Sequence, residues 1–310
     1  MTNSGFLVIN KPPGYTSHQV VAMARRILAE RRIGHTGTLD PMATGVLVLA
    51  VGKATRLISF LDEERKLYRA QLVLGLTTDT QDLTGREIAT QPGMAVSRER
   101  LLAALAFFTG AQVQTPPMYS AVKINGEPLY KLARAGKEIN RATRKITIYR
   151  LEPTEPLLPV YGFKEGPLLL VKCSRGTYIR TLCHDLGAYL RVGACMGELV
   201  RLASGPFRLT EALTLDELMQ AVNAGKLDEY LIPPVAALAH LPMVLLNEAN
   251  AGRVQNGGRL LPQDLTEGPS PEACRDRELV RAVDVDGSLV AVLKYHQNPT
   301  PFWQPVRVLT

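Results

Sequence analysis

The 310-residue sequence is poor in cysteine, and its few cysteines form no recognisable metal-binding or redox pattern. There is no C-x-x-C pair, and no cysteine stands at a zinc-type spacing from the five histidines. Neither G-x-G-x-x-G nor a P-loop occurs, so the common nucleotide-binding signatures are missing too. We therefore expect isolated, buried thiols and no structural metal. The four cysteines are Cys173, Cys183, Cys195 and Cys274.

Long apolar runs are also missing. No apolar stretch approaches the roughly 20 residues needed to cross a bilayer. The densest run, Gly45 to Gly52, is short and is typical of a buried strand. The N-terminus has no basic segment ahead of its short apolar run, so it does not resemble a signal peptide. These features predict a cytoplasmic protein that does not contact a membrane.

What the sequence does have is an excess of positive charge. Lysines and arginines number 36 against 29 acidic residues, which gives a formal net charge of +7. A basic balance favours an anionic partner, because each cation placed near a phosphate releases condensed counterions. The hydrophobic fraction of 46% is that of an ordinary folded protein, and the length suggests about two domains.

The apolar pattern predicts strands and helices that alternate irregularly along the chain. Such an order favours an α+β fold with a mixed or antiparallel sheet over a doubly wound fold. Ser17 and Ser97 are predicted to cap helices. Thr214 and Glu217 form a capping box that opens another helix. Strands are predicted at residues 6–9, 46–51, 66–74, 145–151 and 168–173, and helices at 18–30, 98–108, 178–190 and from 215.

The composition changes near residues 232–242, where three prolines lie close together. Short β-like runs follow, interrupted by a loop rich in proline and acids at residues 262–278. This pattern is typical of a small all-β module. We therefore predict a main domain over residues 1–235 and a small all-β module over residues 243–310. The four runs are Met243 to Leu246, Leu279 to Val285, Leu289 to Tyr295 and Val306 to Leu309.

The most informative segment is the loop from Gly34 to Gly45. Its three glycines and one proline within twelve residues indicate a backbone held in a tight, specific conformation. Loops fixed in this way between regular elements often carry function. The loop contains one carboxylate, Asp40, followed by Pro41. On these residues alone, an ordinary turn and a catalytic aspartate both remain open.

The same loop closely resembles the catalytic motif of the TruB family of tRNA pseudouridine synthases. Five further blocks resemble family motifs in the family's order, so the likeness runs from residue 5 to about residue 210. The sequence departs from the family pattern at Met42, Arg175 and His184, none of which is a presumed catalytic position. The five blocks are Gly5 to His18, Lys66 to Tyr68, Thr78 to Asp82, Pro116 to Lys123 and Cys173 to Thr181.

The resemblance implies that the chain isomerises the uridine at position 55, in the T loop of tRNA, to pseudouridine. The reaction breaks the N1–C1′ glycosidic bond, turns the detached uracil and rejoins it through C5. No redox change occurs, so no cofactor is expected. The enzyme needs a carboxylate beside C1′ and C6, acting as a nucleophile or as a base. The resemblance assigns this role to Asp40 and pairs it with Arg180.

The resemblance also assigns residues around the substrate. The base must leave the RNA stack and then needs a planar partner, and Tyr68 and Tyr178 resemble the aromatic residues of the family's pocket. For either tyrosine taken alone, core packing is the commoner role. The other positions that resemble family substrate contacts are His35, which fills the space left by flipped-out bases, Leu199, an apolar wall, Lys11, in the family's lysine position, and Asp82, an acid near the bound loop.

The expected partner is the T stem-loop of tRNA, recognised through shape and phosphate contacts by a monomer that needs no guide RNA. The resemblance implies an α+β pseudouridine synthase catalytic domain, and the tail resembles the small β-barrel RNA-binding module called PUA. Two alternatives remain. One is the guide-RNA-dependent archaeal and eukaryotic relative, which shares the aspartate motif but has a longer tail and partner-binding extensions. The other is a non-catalytic RNA binder or folding factor on the same scaffold.

Overall fold

The computed structural model describes residues 4–61, 65–124, 126–270, 273–297 and 299–309. The strands are β1 (Gly5–Lys11), β2 (Ile33–His35), β3 (Thr44–Val51), β4 (Arg65–Leu74), β5 (Leu76–Thr78), β6 (Glu87–Thr90), β7 (Val96–Ser97), β8 (Gly110–Gln114), β9 (Lys123–Ile124), β10 (Glu127–Pro128), β11 (Arg144–Pro153), β12 (Val160–Tyr161), β13 (Leu168–Ser174), β14 (Ala194–Ser204), β15 (Phe207–Arg208), β16 (Met243–Leu245), β17 (Leu279–Val283), β18 (Leu289–His296) and β19 (Phe302–Val308). The helices are α1 (Ser17–Ile27), α2 (Arg98–Phe108), α3 (Leu129–Arg134), α4 (Ile179–Leu190), α5 (Leu215–Asn223), α6 (Pro234–Ala237) and α7 (Glu248–Gln255). Among the described residues, no helix has both the length and the apolar character to cross a membrane.

One large mixed sheet organises the chain. Seven of its strands lie in the order β1-β3-β14-β4-β13-β11-β8, with β2 paired to β3 and β15 paired to β14. These pairings are antiparallel except that of β3 with β14, which is parallel. Strand β14 therefore separates the N-terminal strands from the antiparallel half formed by β4, β13, β11 and β8. The predicted α+β fold with a mixed sheet is confirmed.

Helices cover one face of this sheet in two groups. Helices α1 and α5 pack on β1 and β3, and helices α2 and α4 pack on the antiparallel half. Arg201 of β14 is in register with both Gly45 of β3 and Tyr68 of β4. Directly paired residues point to the same face of a sheet, so both helix groups lie on one side. The loop that precedes Gly45 lies where the two groups meet.

The first helix begins one residue earlier than the sequence predicts. Its cap is Thr16, whose side chain accepts a hydrogen bond from the Gln19 amide, while the Gln19 side chain accepts one from the Thr16 amide. Ser17, the predicted cap, is buried and faces the neighbouring loop instead. The helix also ends at Ile27 rather than near residue 30, because Ala29 adopts a left-handed backbone conformation with φ 50°. The predictions of a Ser97 cap and of the Thr214 capping box are confirmed.

The tail forms a second sheet of four strands in the order β16-β17-β18-β19, with α7 packed against it. All four predicted β-runs are strands, but the last one begins at Phe302 rather than Val306. Pro305 lies within β19 at a register irregularity opposite Leu293, a place where a missing N–H disrupts the ladder least. Helix α7 has no counterpart in the sequence prediction. Within the described residues the four strands form an open sheet, not a closed barrel.

The tail also covers the second face of the large sheet. Leu289 and Val292 of β18 belong to one hydrophobic cluster with Phe6, Val8 and Val46 of β1 and β3. The N-terminal strands are therefore buried on both faces, by α1 and α5 on one side and by the tail on the other. Each Å² of apolar surface buried stabilises the fold by roughly 25 cal/mol, so this contact contributes to the stability of the core.

Candidate active site

The loop that carries Asp40 connects β2 to β3, and buried side chains hold its backbone in place. The hydroxyl of Ser17 accepts a hydrogen bond from the amide of Leu39 at 2.9 Å and lies 3.3 Å from its carbonyl oxygen. The Asp40 carbonyl accepts from the Ala43 amide at 3.1 Å, which closes a tight turn. Such backbone anchoring restricts where the Asp40 carboxylate can point.

Lys11 of β1 supports the same loop through hydrogen bonds to backbone carbonyl groups. Its side chain is fully buried, and its ammonium group donates to the carbonyl oxygens of Pro12 at 2.9 Å, Tyr15 at 2.7 Å and Pro41 at 2.9 Å. Burial lowers the pKa of Lys11 to about 8, while the charge of Asp40 acts in the opposite direction. All three ammonium protons thus face backbone carbonyls, one of them next to Asp40.

Arg201 is a third anchor, and the sequence analysis did not find it. Its side chain is 1% exposed, and it donates to the carbonyl oxygens of Val46 at 2.7 Å, Gly37 at 3.0 Å and Thr38 at 3.4 Å. A buried arginine that satisfies carbonyls of one loop fixes that loop strongly, because removing it would leave buried acceptors unpaired. The signal was present in the alternation of β14, since Leu199 and Arg201 point to the same buried face.

Gly45 permits this arrangement. It has φ +97°, and a Cβ atom at this position would lie 2.3 Å from the carbonyl oxygen of Arg201. Both the conformation and the close approach of the two backbones require glycine here. The parallel contact between β3 and β14 therefore depends on one residue without a side chain.

The Asp40 carboxylate is clamped by Arg180 of α4. The Arg180 Nη2 donates to Oδ1 at 3.1 Å, and its Nε lies 2.9 Å from Oδ2. The same guanidinium donates to the carbonyl oxygens of Thr80 at 2.9 Å and Tyr119 at 2.8 Å. The Arg180 side chain is 5% exposed, whereas that of Asp40 is 33% exposed. Asp40 is therefore held on its protein side and open on the other.

Asp82 is a second carboxylate beside the guanidinium, 3.6 Å from the Nη1 of Arg180. It is buried, and its Oδ1 accepts from the Thr80 hydroxyl at 2.7 Å, the Thr84 amide at 2.9 Å and the Thr84 hydroxyl at 2.5 Å. Asp82 therefore orders the turn between β5 and β6 and places a negative charge behind Arg180. Asp82 thus caps a turn and also lies beside the guanidinium that holds Asp40.

The charges around Asp40 oppose one another. Burial raises the pKa of Asp40 above its ordinary value, the positive charge of Arg180 lowers it, and the nearby charge of Asp82 raises it. The net effect is a pKa of Asp40 above its ordinary value. A carboxylate tuned in this way by burial and one paired cation is typical of catalytic carboxylates.

Tyr68 and Leu199 line the buried side of the site, on the adjacent strands β4 and β14. They are 7% and 6% exposed, and both belong to the hydrophobic cluster that includes Leu39 and Ala43 of the loop. Burial raises the pKa of Tyr68 to about 12, and the charge of Arg201 acts against it. The Tyr68 hydroxyl therefore stays protonated at neutral pH.

Tyr178 and His35 are more exposed than Tyr68 and Leu199. Tyr178 is half-buried and immediately precedes α4, and the guanidinium of Arg144 lies 5.3 Å from the centre of its ring. His35 is half-buried at the end of β2, with its ring 5.0 Å from that of His18 in an edge-on arrangement. The structure thus brings Arg180 into contact with both Asp40 and Asp82, and Lys11 contacts the loop that carries Asp40.

The cysteines take no part in this site. All four are free and buried, as predicted. Burial raises the pKa of the Cys173 thiol to about 11, which is the behaviour of an unreactive buried thiol. Within the described ranges no group of three or more histidine, cysteine or acidic side chains is arranged to hold a metal ion.

Comparison with known proteins identifies the family of this chain. The N-terminal domain of the TruB family of pseudouridylate synthases matches residues 25–179, and the tRNA pseudouridylate synthase B C-terminal domain matches residues 180–239. The tRNA pseudouridine synthase B of Geobacter sulfurreducens is 45% identical over 291 residues, covering 93% of this chain and 92% of that protein. The protein of the same name from Bacillus pumilus is 40% identical over 313 residues, covering 99% and 98%.

Solved structures of other proteins share the fold of this chain. A chain from an H/ACA ribonucleoprotein bound to a substrate RNA containing 2′-deoxyuridine superposes with a TM-score of 0.74 at 26% identity, covering 99% of this chain and 85% of that one. A chain from an archaeal box H/ACA Nop10–Cbf5 complex superposes with a TM-score of 0.73 at 26% identity, covering 99% and 86%. With two family domains in tandem and relatives matched over nearly its whole length, this chain belongs to the TruB family of pseudouridylate synthases.

Proposed function

We propose that the protein converts the uridine at position 55 of tRNA to pseudouridine, with Asp40 as the catalytic carboxylate. The observation that carries the proposal is the Asp40 carboxylate, paired with buried Arg180 on one side and open on the other. The site lies where the two helix groups meet, in a chain 40–46% identical to several proteins named tRNA pseudouridine synthase B. A nucleophile or a base acting at C1′ needs this combination of a fixed position and an accessible oxygen.

The surrounding residues take distinct roles in this proposal. Arg180 keeps Asp40 ionised and oriented, and Asp82 orders the turn that supports Arg180. Tyr68 and Leu199 form the inner wall against the detached base. Tyr178 contacts that base from the rim, and His35 contacts the RNA beside it. Lys11 acts through the loop, because its ammonium group is used by three carbonyl oxygens.

The substrate in this proposal is the T stem-loop, bound by a monomer without guide RNA. Support comes from the identity levels: the tRNA pseudouridine synthase B proteins are 40–46% identical, whereas the chains from H/ACA complexes are 26% identical. The net charge of +7 favours binding of a polyanion. These observations favour the protein-only reaction.

We also propose that residues 243–310 form a PUA-like RNA-binding module next to a catalytic domain of residues 1–235. The four tail strands gain further bridges, since Leu245 pairs with Glu267 and Leu260 pairs with Trp303. Each of the two edge strands, β16 and β19, thus gains one further paired residue. Arg275 and Arg277 are exposed on its surface, where phosphates could reach them.

The direct test incubates the purified protein alone with unmodified tRNA and maps pseudouridine by position. The expected product is pseudouridine at position 55 in the absence of any guide RNA. A protein that binds tRNA but forms no pseudouridine would instead be the non-catalytic RNA binder. A requirement for added RNA or partner proteins would support the guide-dependent alternative.

Replacing Arg180 should change how the reaction depends on pH. The charge of Arg180 lowers the Asp40 pKa, so Arg180→Gln should raise it and move the acidic limb of the rate profile to higher pH. A hydrogen bond to a charged group contributes about 1.5–3 kcal/mol, so turnover at pH 7 should fall roughly ten- to a hundred-fold. Single-turnover rates from pH 5 to 8 measure both effects. Arg180→Lys keeps the charge and should keep the limb near its original place, and an unmoved limb in Arg180→Gln would refute the pairing.

The tail arginines should set part of the salt dependence of binding. Arg275→Gln together with Arg277→Gln should lower the slope of log affinity against log salt by about 0.7–0.9 for each phosphate that is no longer bound. Turnover at saturating tRNA should stay unchanged. Point variants suit this test better than truncation, because Leu289 and Val292 cover the N-terminal strands. Arg253→Gln is the control, since Arg253 is hydrogen-bonded to Asp264 at 3.1 Å, whereas the ion pair of Arg277 with Asp276 is longer, at 3.8 Å. An unchanged slope in the double variant would mean that these arginines do not meet RNA.

A further inference from the structure

Tyr178 is held from two sides by the last residue pair of the β8–β11 ladder. Gln114 ends β8, Arg144 begins β11, and the two are direct partners in register. Paired residues point to the same face of the sheet, so both side chains can reach the start of α4. Neither residue belongs to the catalytic pair, and Gln114 is only 3% exposed.

Gln114 fixes the backbone of Tyr178. Its Nε2 donates to the Tyr178 carbonyl oxygen at 3.0 Å, and its Oε1 accepts from the Tyr178 amide at 2.8 Å. One side-chain amide thus satisfies both polar backbone groups of a single residue, as a neighbouring strand would. Tyr178 immediately precedes α4, and its carbonyl oxygen also accepts the first helical hydrogen bond, from the Leu182 amide at 3.0 Å.

Arg144 fixes the ring of the same residue. Its guanidinium carbon lies 5.3 Å from the ring centre, a cation–π distance, and its Nη1 lies 3.5 Å from the carbonyl oxygen of Gly176. A guanidinium beside the ring restricts its rotation, and Tyr178 is half-buried, so part of the residue stays accessible. Gly176 has φ +79°, and a Cβ atom there would approach Arg144 Nη1 to 3.3 Å, so the turn leaves room for this contact.

We propose that Gln114 and Arg144 are positioning residues for Tyr178, which hold its backbone and its ring so that one face is presented to the flipped base before the RNA arrives. The inference rests on the proposed function, in which Tyr178 contacts that base. It extends that function to two residues outside the catalytic loop. Rigid support matters because a shift of about 1 Å in a site can cost on the order of a hundred-fold in rate.

The same residue pair also connects the pocket to a neighbouring segment. The chain leaves the large sheet after Gln114 and returns to it at Arg144. In the segment between them, the Tyr119 carbonyl accepts a hydrogen bond from Arg180 at 2.8 Å. Tyr178 and Arg180 are two residues apart at the start of α4. One end of the β8–β11 ladder therefore holds Tyr178, which lies two residues before the arginine that pairs with Asp40.

A double-mutant cycle tests the proposal. Gln114→Met removes both hydrogen bonds at nearly constant volume, and its effect is measured in the wild type and in Tyr178→Leu. In the wild type, the single-turnover rate should fall roughly ten- to a hundred-fold, with tRNA affinity within about two-fold. In Tyr178→Leu the further loss should be below about three-fold, because no ring remains to be positioned. Gln112→Met is the control on the same strand, since the Gln112 amide contacts the Phe107 carbonyl instead.

Each outcome of this cycle supports or contradicts the positioning role of Gln114. Equal losses in both backgrounds would mean that Gln114 serves the fold rather than Tyr178, and an unchanged rate in Gln114→Met would overturn the proposal outright. A Tyr178→Leu variant that reacts like the wild type would also overturn it. If Gln114→Met does not fold, Arg144→Gln in the same cycle should show the same non-additivity, and additivity there would contradict the idea. Failure of the proposed function is recognised separately, as a wild-type protein that forms no pseudouridine.

Discussion

Asp40→Asn is expected to reduce pseudouridine formation to below detection while leaving tRNA affinity within a few fold. The amide nearly preserves the shape of the carboxylate but can act neither as a nucleophile nor as a base. Most of the binding free energy should come from phosphate contacts and stacking, which the substitution does not touch. Single-turnover assays with saturating enzyme, combined with a filter-binding titration, separate the two quantities.

The matched control is Asp79→Asn. It makes the same chemical change in a nearby turn, where the Asp79 carboxylate accepts a hydrogen bond from the Arg86 amide. We expect this variant to keep nearly full turnover. Substantial turnover in Asp40→Asn would remove Asp40 from the mechanism, and equal loss in both variants would point to a general effect of charge or folding.

Tyr68→Leu is expected to lose far more rate than binding. It removes an aromatic ring from the inner wall but keeps apolar bulk, so the hydrophobic cluster should survive. Positioned proton transfer contributes about 10²–10⁴-fold to a rate. Both Tyr68→Leu and Tyr68→Phe remove the hydroxyl that we propose as the route for the C5 proton, so we expect a loss in that range for both. The loss should be larger for Tyr68→Leu, which also removes the ring.

Tyr161→Phe is the control for loss of a buried hydroxyl. Tyr161 is 4% exposed in the same hydrophobic cluster, and its hydroxyl accepts a hydrogen bond from the Leu158 amide at 3.1 Å. This variant should lower thermal stability slightly and leave turnover unchanged. If both Tyr68 variants react like the wild type, Tyr68 is simply part of the core.

The local features of the fold could be predicted because they depend on neighbouring residues. The apolar patterns predicted β3 and β4, and the capping box at Thr214 predicted the start of α5. The glycines and proline around Asp40 indicated a fixed loop before any contact was known. The pairing of Arg180 with Asp40 came from the resemblance alone, since 140 residues separate them in the chain.

The features that could not be predicted depend on contacts between distant residues. Arg201 lies 164 residues beyond Gly37, whose carbonyl it binds, and no local pattern shows which buried acceptors it will meet. The inward position of Arg201 could have been recognised from the alternation of β14, but its partners could not. The prediction for Ser17 was wrong for the same reason, because its true partner, Leu39, is 22 residues away.

The central position of β14 determines how late during synthesis the large sheet can be completed. Strands β3 and β4 are synthesised early, yet they are not neighbours in the sheet, and the space between them is filled only when residues 194–204 have left the ribosome. Domains tend to fold as their sequence emerges, at about 5–20 residues per second. A nascent chain therefore carries the complete Asp40 loop long before Arg180 and Arg201 exist to hold it. A product terminated before β14 would retain the aspartate motif but lack an assembled active site.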